Sequence, residues 1–392
     1  MSNSKESVQP AGTPARRSGC EAPVVLERLA AKAGIRFMGD CPWDIQVHDA
    51  AVYQRVLTQG SLGFGEAYME GMWDAQALDQ VFTRLLRFDI DEKLVGWARI
   101  KLFGELLRQR LFNLQTRRRA FQVGEQHYDI GNDVFRAMLD PTMSYSCGYW
   151  RGAKNLEQAQ FHKLDLICRK LALRPGEQLL DIGCGWGGLA RHAAEYYGVE
   201  VTGVTISREQ QALARERCAG LPVNIELADY RELRGRFDKL VSVGMFEHVG
   251  PKNYTAYFDT ASRLLKDDGL FLLHTIGIHA TSSGVDPWID RYIFRNGKLP
   301  SAYEISKAID RCFIIEDWHN FGADYDHTLM AWWNNFEAAW PQLEGKYGRR
   351  FYRMWKYYLL SCAGFFRSGQ GQLWQLILSK RGRDRGIYRS IR

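Results

Sequence analysis

The stretch Leu179-Leu180-Asp181-Ile182-Gly183-Cys184-Gly185-Trp186-Gly187-Gly188 decides the fold. Its first four residues read as a buried strand, and the glycines that follow read as a tight turn opening a helix. Glycine is required where the backbone must approach a ligand closely, because a β-carbon would stand in the way. Glycine spacing of this kind leaves a dinucleotide site open, and a turn that uses its glycines only for packing is the plainer alternative.

Asp181, directly before the turn, separates these readings. A carboxylate there repels a pyrophosphate and suits a cationic amino-acid group. S-adenosylmethionine carries an ammonium and a sulfonium but no phosphate, so it is the cofactor expected at Asp181, Gly183, Cys184, Gly185, Trp186 and Gly187. The next apolar run ends Thr205-Ile206-Ser207 with Gln210 beyond it. The acid that dinucleotide enzymes place there for the ribose hydroxyls is missing. Thr205 and Gln210 can supply hydroxyl and amide partners instead, or serve only as a helix cap and a solvated side chain. Asp229, in Ala228-Asp229-Tyr230, is either an acceptor for the adenine amino group or an ordinary turn acid.

Outward from the turn, short apolar runs at Gln178–Asp181, Glu200–Thr205, Asn224–Leu227, Lys239–Val243 and Leu270–His274 are spaced by helix-length segments. This alternation predicts a parallel sheet with crossover helices. Two later runs, Cys312–Trp318 and Leu373–Ser379, are expected to close the sheet as a hairpin-like antiparallel edge. The fold class is therefore α/β: a Rossmann-like, mostly parallel seven-stranded sheet with an antiparallel edge, preceded by a smaller, mainly helical N-terminal domain.

A chain of 392 residues has room for both. Residues 1–22 read as a flexible arm, 23–115 as the small, lipid-docking domain, 116–125 as a linker and 126–392 as the catalytic domain. The formal charge of +7 is modest, and its placement says more than its size. Seven basic residues and one acid lie between Arg99 and Arg119. There Trp97, Ile100, Phe103, Leu107 and Leu111 interleave with Arg99, Lys101, Arg108 and Arg110, a pattern that suits a helix lying in a lipid headgroup layer or a core-packing helix with a basic outer face. Arg117, Arg118, Arg119 and the basic tail Lys380–Arg392 add cations for an anionic surface. No nucleic-acid partner is expected. No run of about 20 apolar residues occurs, no export signal precedes the first domain, and the eight cysteines lack CxxC or zinc spacing. They read as reduced thiols of a cytosolic protein.

Further motifs stand along the chain: His127-Tyr128-Asp129-Ile130-Gly131-Asn132, Tyr145-Ser146-Cys147-Gly148-Tyr149-Trp150, Gly244-Met245-Phe246-Glu247-His248-Val249-Gly250, His274-Thr275-Ile276-Gly277, Asp317-Trp318-His319-Asn320-Phe321-Gly322 with Tyr325, and Cys362-Ala363-Gly364-Phe365-Phe366-Arg367. With the Asp181 turn they make the chain, from about residue 23 on, resemble the cyclopropane-fatty-acyl-phospholipid synthases of the bacterial two-domain type. Gly148 departs from the alanine common there. The resemblance implies a methyltransferase that converts cis double bonds of phospholipid acyl chains to cyclopropane rings. It implies homodimers, peripheral association with the inner face of the cytoplasmic membrane, and a bicarbonate ion beside the cofactor. It assigns cofactor contacts to Tyr145, Ser146, the glycine turn and Thr205 to Gln210, with Ile206 and Tyr230 nearby, and bicarbonate contacts to Cys147, Glu247, His274, Ile276 and Tyr325.

The chemistry explains why such residues are needed. Methylating an alkene leaves a cation on the acyl chain, which aromatic faces can stabilise and which must be kept from water. Ring closure then requires a base within reach of the added methyl group. Bicarbonate held by His274, Tyr325 and the backbone of Cys147 and Ile276 can serve, with Glu247 accepting its proton; without an anion, Glu247 is the best base. No covalent enzyme step arises, so Cys362 is expected near the acyl pocket in a packing role.

Overall fold

The computed structural model describes residues 21–88, 131–282, 284–382 and 386–392. The amphipathic segment at 97–114, Arg117 to Arg119, the linker at 116–125 and the His127–Ile130 part of the first motif lie outside the described residues, as does the arm up to residue 20.

Seven strands form the main sheet: β3 (Gln178–Ile182), β4 (Glu200–Thr205), β5 (Val223–Leu227), β6 (Phe237–Val243), β7 (Leu265–Ile278), β8 (Ile314–Asn320) and β9 (Gly371–Ser379), in the order β5-β4-β3-β6-β7-β9-β8. The first five pair in parallel, and β9 runs antiparallel to both β7 and β8. Every expected strand is present. The antiparallel edge is present as expected: β9 lies between β7 and β8 and pairs antiparallel with both, and a 46-residue helical segment, in place of a short turn, joins β8 to β9. β9 is buried on both faces, whereas Ile314 and Ile315 of β8 are exposed, so β9 takes the interior position and β8 the edge.

Alternation along the strands feeds two cores. On β7, Phe271 and Leu273 face α8 (Tyr254–Leu264) and α10 (Ala302–Ile309), while Leu270 and Leu272 face α5 (Leu156–Lys170), α6 (Gly188–Tyr197) and α7 (Arg208–Arg217). Side-chain caps start three of these helices: Asn155 accepts from the Gln158 N–H, Ser207 from the Gln210 N–H, and Ser301 forms a reciprocal capping box with Glu304.

A third core joins the N-terminal elements to the rest. These are α1 (Val24–Lys32), α2 (Ala51–Met69), α3 (Leu78–Arg87) and the short antiparallel pair β1 (Gln46–Val47) and β2 (Trp73–Asp74). They pack with α4 (Asn132–Met138) against α11 (Ala323–Ser368). Gly348, at φ 72° and ψ 166°, breaks α11 into two arms that fold back on each other. Phe336 meets Phe351, Tyr352 and Trp355 near the bend, and Tyr325 stacks on Phe366 at the far end.

The segment Phe64–Trp73 lies in this contact. Trp73 is fully buried and stacks on Phe64 at 4.1 Å, and a β-carbon on Gly65 would collide with the Trp288 ring. Buried Arg353 of α11 donates to the Tyr68 and Trp73 carbonyls and pairs with Asp74. The basic tail is likewise engaged: Arg392 pairs with Asp317 and Lys380 with Asp267. Among the described residues no helix is long and apolar enough to cross a membrane.

Candidate active site

From β3 the connections run outward through β4 and β5 and return to β6 on the other side, so a crevice opens beyond the carboxyl ends of β3 and β6. The glycine turn follows β3 there. Gly183, Gly185 and Gly187 all have positive φ, at 86°, 54° and 79°. A β-carbon on Gly183 would press on Met245 at 2.9 Å, which ties this turn to the Glu247 loop. A β-carbon on Gly185 would meet nothing within 4 Å, so the turn leaves open space there. The Trp186 indole donates to Asn132, and Cys184 is buried beside Gly203 of β4.

Asp181 is buried at 2% exposure, and its Oδ2 has no hydrogen-bond partner. Burial pushes its carboxyl up to about 7, against the pull of nearby Lys163. Lys163 is also buried; its ammonium, lowered by burial to about 8, donates to Ser146 Oγ at 2.9 Å. Tyr145 shares a 2.7 Å hydrogen bond with Tyr358 and packs against Phe135 and Trp332. The orphaned carboxylate, the open cradle at Gly185 and the aromatic wall fit a ligand with a cationic amino-acid end.

At the adenine side the structure assigns different work to several residues. Both Asp229 oxygens are bound by Arg231, and one also caps the turn that begins at Tyr230. Thr205 donates to Gln210 at 2.8 Å, and its hydroxyl accepts from the Ser207 N–H, so the Thr205–Ile206–Gln210 segment is held as a capped helix start. The Tyr230 ring stands edge-on to Tyr257 at 5.2 Å.

The second cluster lies on β7 and the β6 loop. Glu247 accepts from the Ile276 N–H at 2.7 Å through Oε1, while its buried Oε2 has no partner. Burial raises this carboxyl to about 7 even though the Ile276 N–H favours the ionised form. The Ile276 N–H, expected to hold an anion, is thus spent on Glu247. His274, two residues earlier, points to the same face of β7. Its Nδ1 accepts from the Gln375 amide on β9 at 3.2 Å, which leaves the buried Nε2 as a donor without a partner. Burial, with Lys163 and Lys170 nearby, holds the ring well below its ordinary value, hence neutral. Tyr325 is buried, and its phenol is raised by burial and by the electrostatic reach of Cys147, Glu247, Tyr145 and Cys362. Cys147 is fully buried, with its thiol raised by burial, and Cys362 is half-buried, with its thiol raised to about 12. Neither is a thiolate, in keeping with packing roles.

The structure therefore brings Tyr145, Cys147, Glu247 and Cys362 within electrostatic reach of Tyr325, while His274 packs against Phe321. Residues not singled out in the sequence support them. Thr328 accepts from the Gly148 N–H at 3.0 Å and the Trp150 indole at 2.9 Å, tying the Tyr145–Trp150 segment to the arm that carries Tyr325. Gln160 and Lys163 hold Ser146 from behind, and Gln375 sets the His274 tautomer. The signal for the α5 pair was present: Gln160 and Lys163 share the apolar stripe of Leu156, Ala159, Leu164 and Ile167, where a polar side chain needs a buried partner.

Residues 115–376 match the family described as mycolic acid cyclopropane synthetase. The chain is 53% identical over 363 residues to the cyclopropane-fatty-acyl-phospholipid synthase of Escherichia coli (strain K12), covering 93% of this chain and 94% of that one. Among solved structures, the cyclopropane synthase MmaA2 from Mycobacterium tuberculosis superposes with a TM-score of 0.62 at 32% identity, over 66% of this chain and 98% of that one. Mycolic acid cyclopropane synthase CmaA1, complexed with SAH and CTAB, gives 0.62 at 33% identity over 66% and 98%. Fold, glycine turn and near full-length likeness agree: the chain belongs to the mycolic acid cyclopropane synthetase family of methyltransferases.

Proposed function

We propose that this protein is a cyclopropane-fatty-acyl-phospholipid synthase, an S-adenosylmethionine-dependent enzyme that acts on cis double bonds in phospholipid acyl chains at a membrane surface. The observation that carries the reading is Glu247: a buried carboxyl with one oxygen fixed by the Ile276 N–H and the other unpartnered, raised by burial to about 7 and within electrostatic reach of Tyr325. The E. coli relative, similar over nearly its whole length, supports the substrate class.

Asp181 would hold the ammonium of the cofactor, with Gly185 giving its backbone room. When bound, that cofactor supplies a methyl group made electrophilic by its sulfonium. The chain's own residues must do the rest. Tyr145, Trp332, Tyr325 and Phe366 exclude water and present ring faces to a cation developing on the acyl chain. A proton must then leave the added carbon, and Glu247 Oε2 is the acceptor the cavity offers. The set also suits a bicarbonate ion: His274 Nε2–H and the Tyr325 hydroxyl are donors for its oxygens, and Glu247 would take its proton. A bicarbonate ion held there would supply the immediate base, and Glu247 would store the proton it takes up. The cationic segments outside the described residues would meet the lipid headgroups, and the working assembly is a homodimer.

Incubation of the protein with methyl-labelled S-adenosylmethionine and vesicles of unsaturated phospholipid tests this. The expected product is an acyl chain heavier by one methylene and lacking its double bond, formed more slowly when bicarbonate is stripped from the buffer. Label in a headgroup or a soluble amine, with none in the acyl chains, would refute the reading.

A further inference from the structure

Lys163 is buried at 2% exposure in the middle of α5, and its ammonium has one hydrogen bond, to Ser146 Oγ at 2.9 Å. One turn earlier Gln160 donates to the Ser146 carbonyl at 2.8 Å and more weakly to that of Ser144. Helix α5 thus grips the segment before Cys147 from behind, at both backbone and side chain. The ionisable groups within electrostatic reach of Lys163 are Asp140, Cys147, Asp181, His192 and His274, and among the described residues none of the carboxylates forms an ion pair with it. A buried ammonium without a carboxylate partner is costly to keep, so its retention calls for a use.

Ser146 provides one. A hydroxyl oxygen that accepts from an ammonium turns its own hydrogen away from that ammonium and donates it more strongly. The amino-acid end of S-adenosylmethionine is a zwitterion. Asp181 answers the ammonium, but its negative charge repels the neighbouring carboxylate, which needs a donor backed by positive charge.

We infer that Lys163 is a positioning residue for the cofactor: it fixes and polarises the Ser146 hydroxyl, which in turn binds the cofactor carboxylate, so that Asp181 and the Ser146–Lys163 pair together read the zwitterion. This rests on the cofactor assignment proposed above.

Calorimetric titration of the full-length protein with two ligands tests it. S-adenosylhomocysteine has the amino-acid end; methylthioadenosine has the adenosine and thioether but neither the ammonium nor the carboxylate. Lys163→Met and Ser146→Ala should each weaken S-adenosylhomocysteine by roughly tenfold or more while changing methylthioadenosine by less than about twofold. The double variant should be little worse than either single one, because the two groups act in series. Equal losses for both ligands would make Lys163 a mere support of the pocket and overturn the inference, as would unchanged binding of S-adenosylhomocysteine. If Lys163→Met does not fold, Ser146→Ala decides by the same comparison with the lysine left in place. Failure of the unaltered protein to bind either ligand would overturn the cofactor assignment itself; equal affinity for the two would leave that assignment standing and overturn only the inference.

Discussion

Replacing Glu247 by Gln separates the cost of a buried charge from its use. The carboxyl is raised from 4.5 to about 7 by burial, which at about 1.36 kcal/mol per pH unit is on the order of 3 kcal/mol against the ionised form. An acid with a raised folded-state pKa binds more protons folded than unfolded between the two values. Its contribution to stability therefore falls as pH rises from 4.5 toward 7 and stays at its lower level above that. Glutamine keeps an acceptor for the Ile276 N–H but carries no charge, so Glu247→Gln removes this dependence. Its amide nitrogen is left in the unpartnered Oε2 position at a cost of about 1–3 kcal/mol that does not vary with pH. Thermal melts of both proteins without ligand, from pH 4 to pH 9, should show the variant gaining on the unaltered protein between pH 4.5 and 7, by on the order of 5 °C, and then running parallel to it. Ring formation should be lost while affinity for S-adenosylhomocysteine stays within about threefold, since the carboxyl acts after the methyl group has begun to move. A stability difference that is flat across pH, or a variant that loses ground to the unaltered protein as pH rises, would refute a buried, reluctantly ionised Glu247.

Asp181→Asn should weaken S-adenosylhomocysteine by roughly ten- to hundredfold, and the rise in affinity expected for the unaltered protein as pH passes about 7 should vanish with it; titrations at pH 6 and pH 8 check both. Gly185→Ala should cost only about 1–2 kcal/mol of stability, because its β-carbon meets no atom and only the left-handed backbone resists it, yet it should abolish ligand-induced stabilisation in a melt. Arg353→Met strips two carbonyls and Asp74 of their buried partner, and denaturant titration should report a loss on the order of 3–5 kcal/mol.

Much of this was legible in the chain because it is local chemistry. Strand periodicity, the glycine turn and the carboxylate before it are set within ten residues by sterics and charge, and they fixed the methyltransferase sheet, its cofactor crevice and Asp181. The motifs carried Glu247, His274 and Tyr325 to the same family. What sequence could not order is whatever depends on partners distant along the chain. Placing β9 inside the sheet, folding α11 back at Gly348, and spending Arg353 on the Trp73 segment are choices among long-range contacts, made by burial of apolar faces that many arrangements satisfy locally. Lys163 reads as one more helix lysine until Ser146 is brought to it, and Asp229 stays open between adenine acceptor and turn acid until Arg231 is seen to turn back onto it. The sequence determined which chemical groups are present and which local backbone shapes they impose; the tertiary structure alone decided which of those groups are left without a partner, because desolvation, and with it the cost of an unmet charge, exists only once the chain has closed around them.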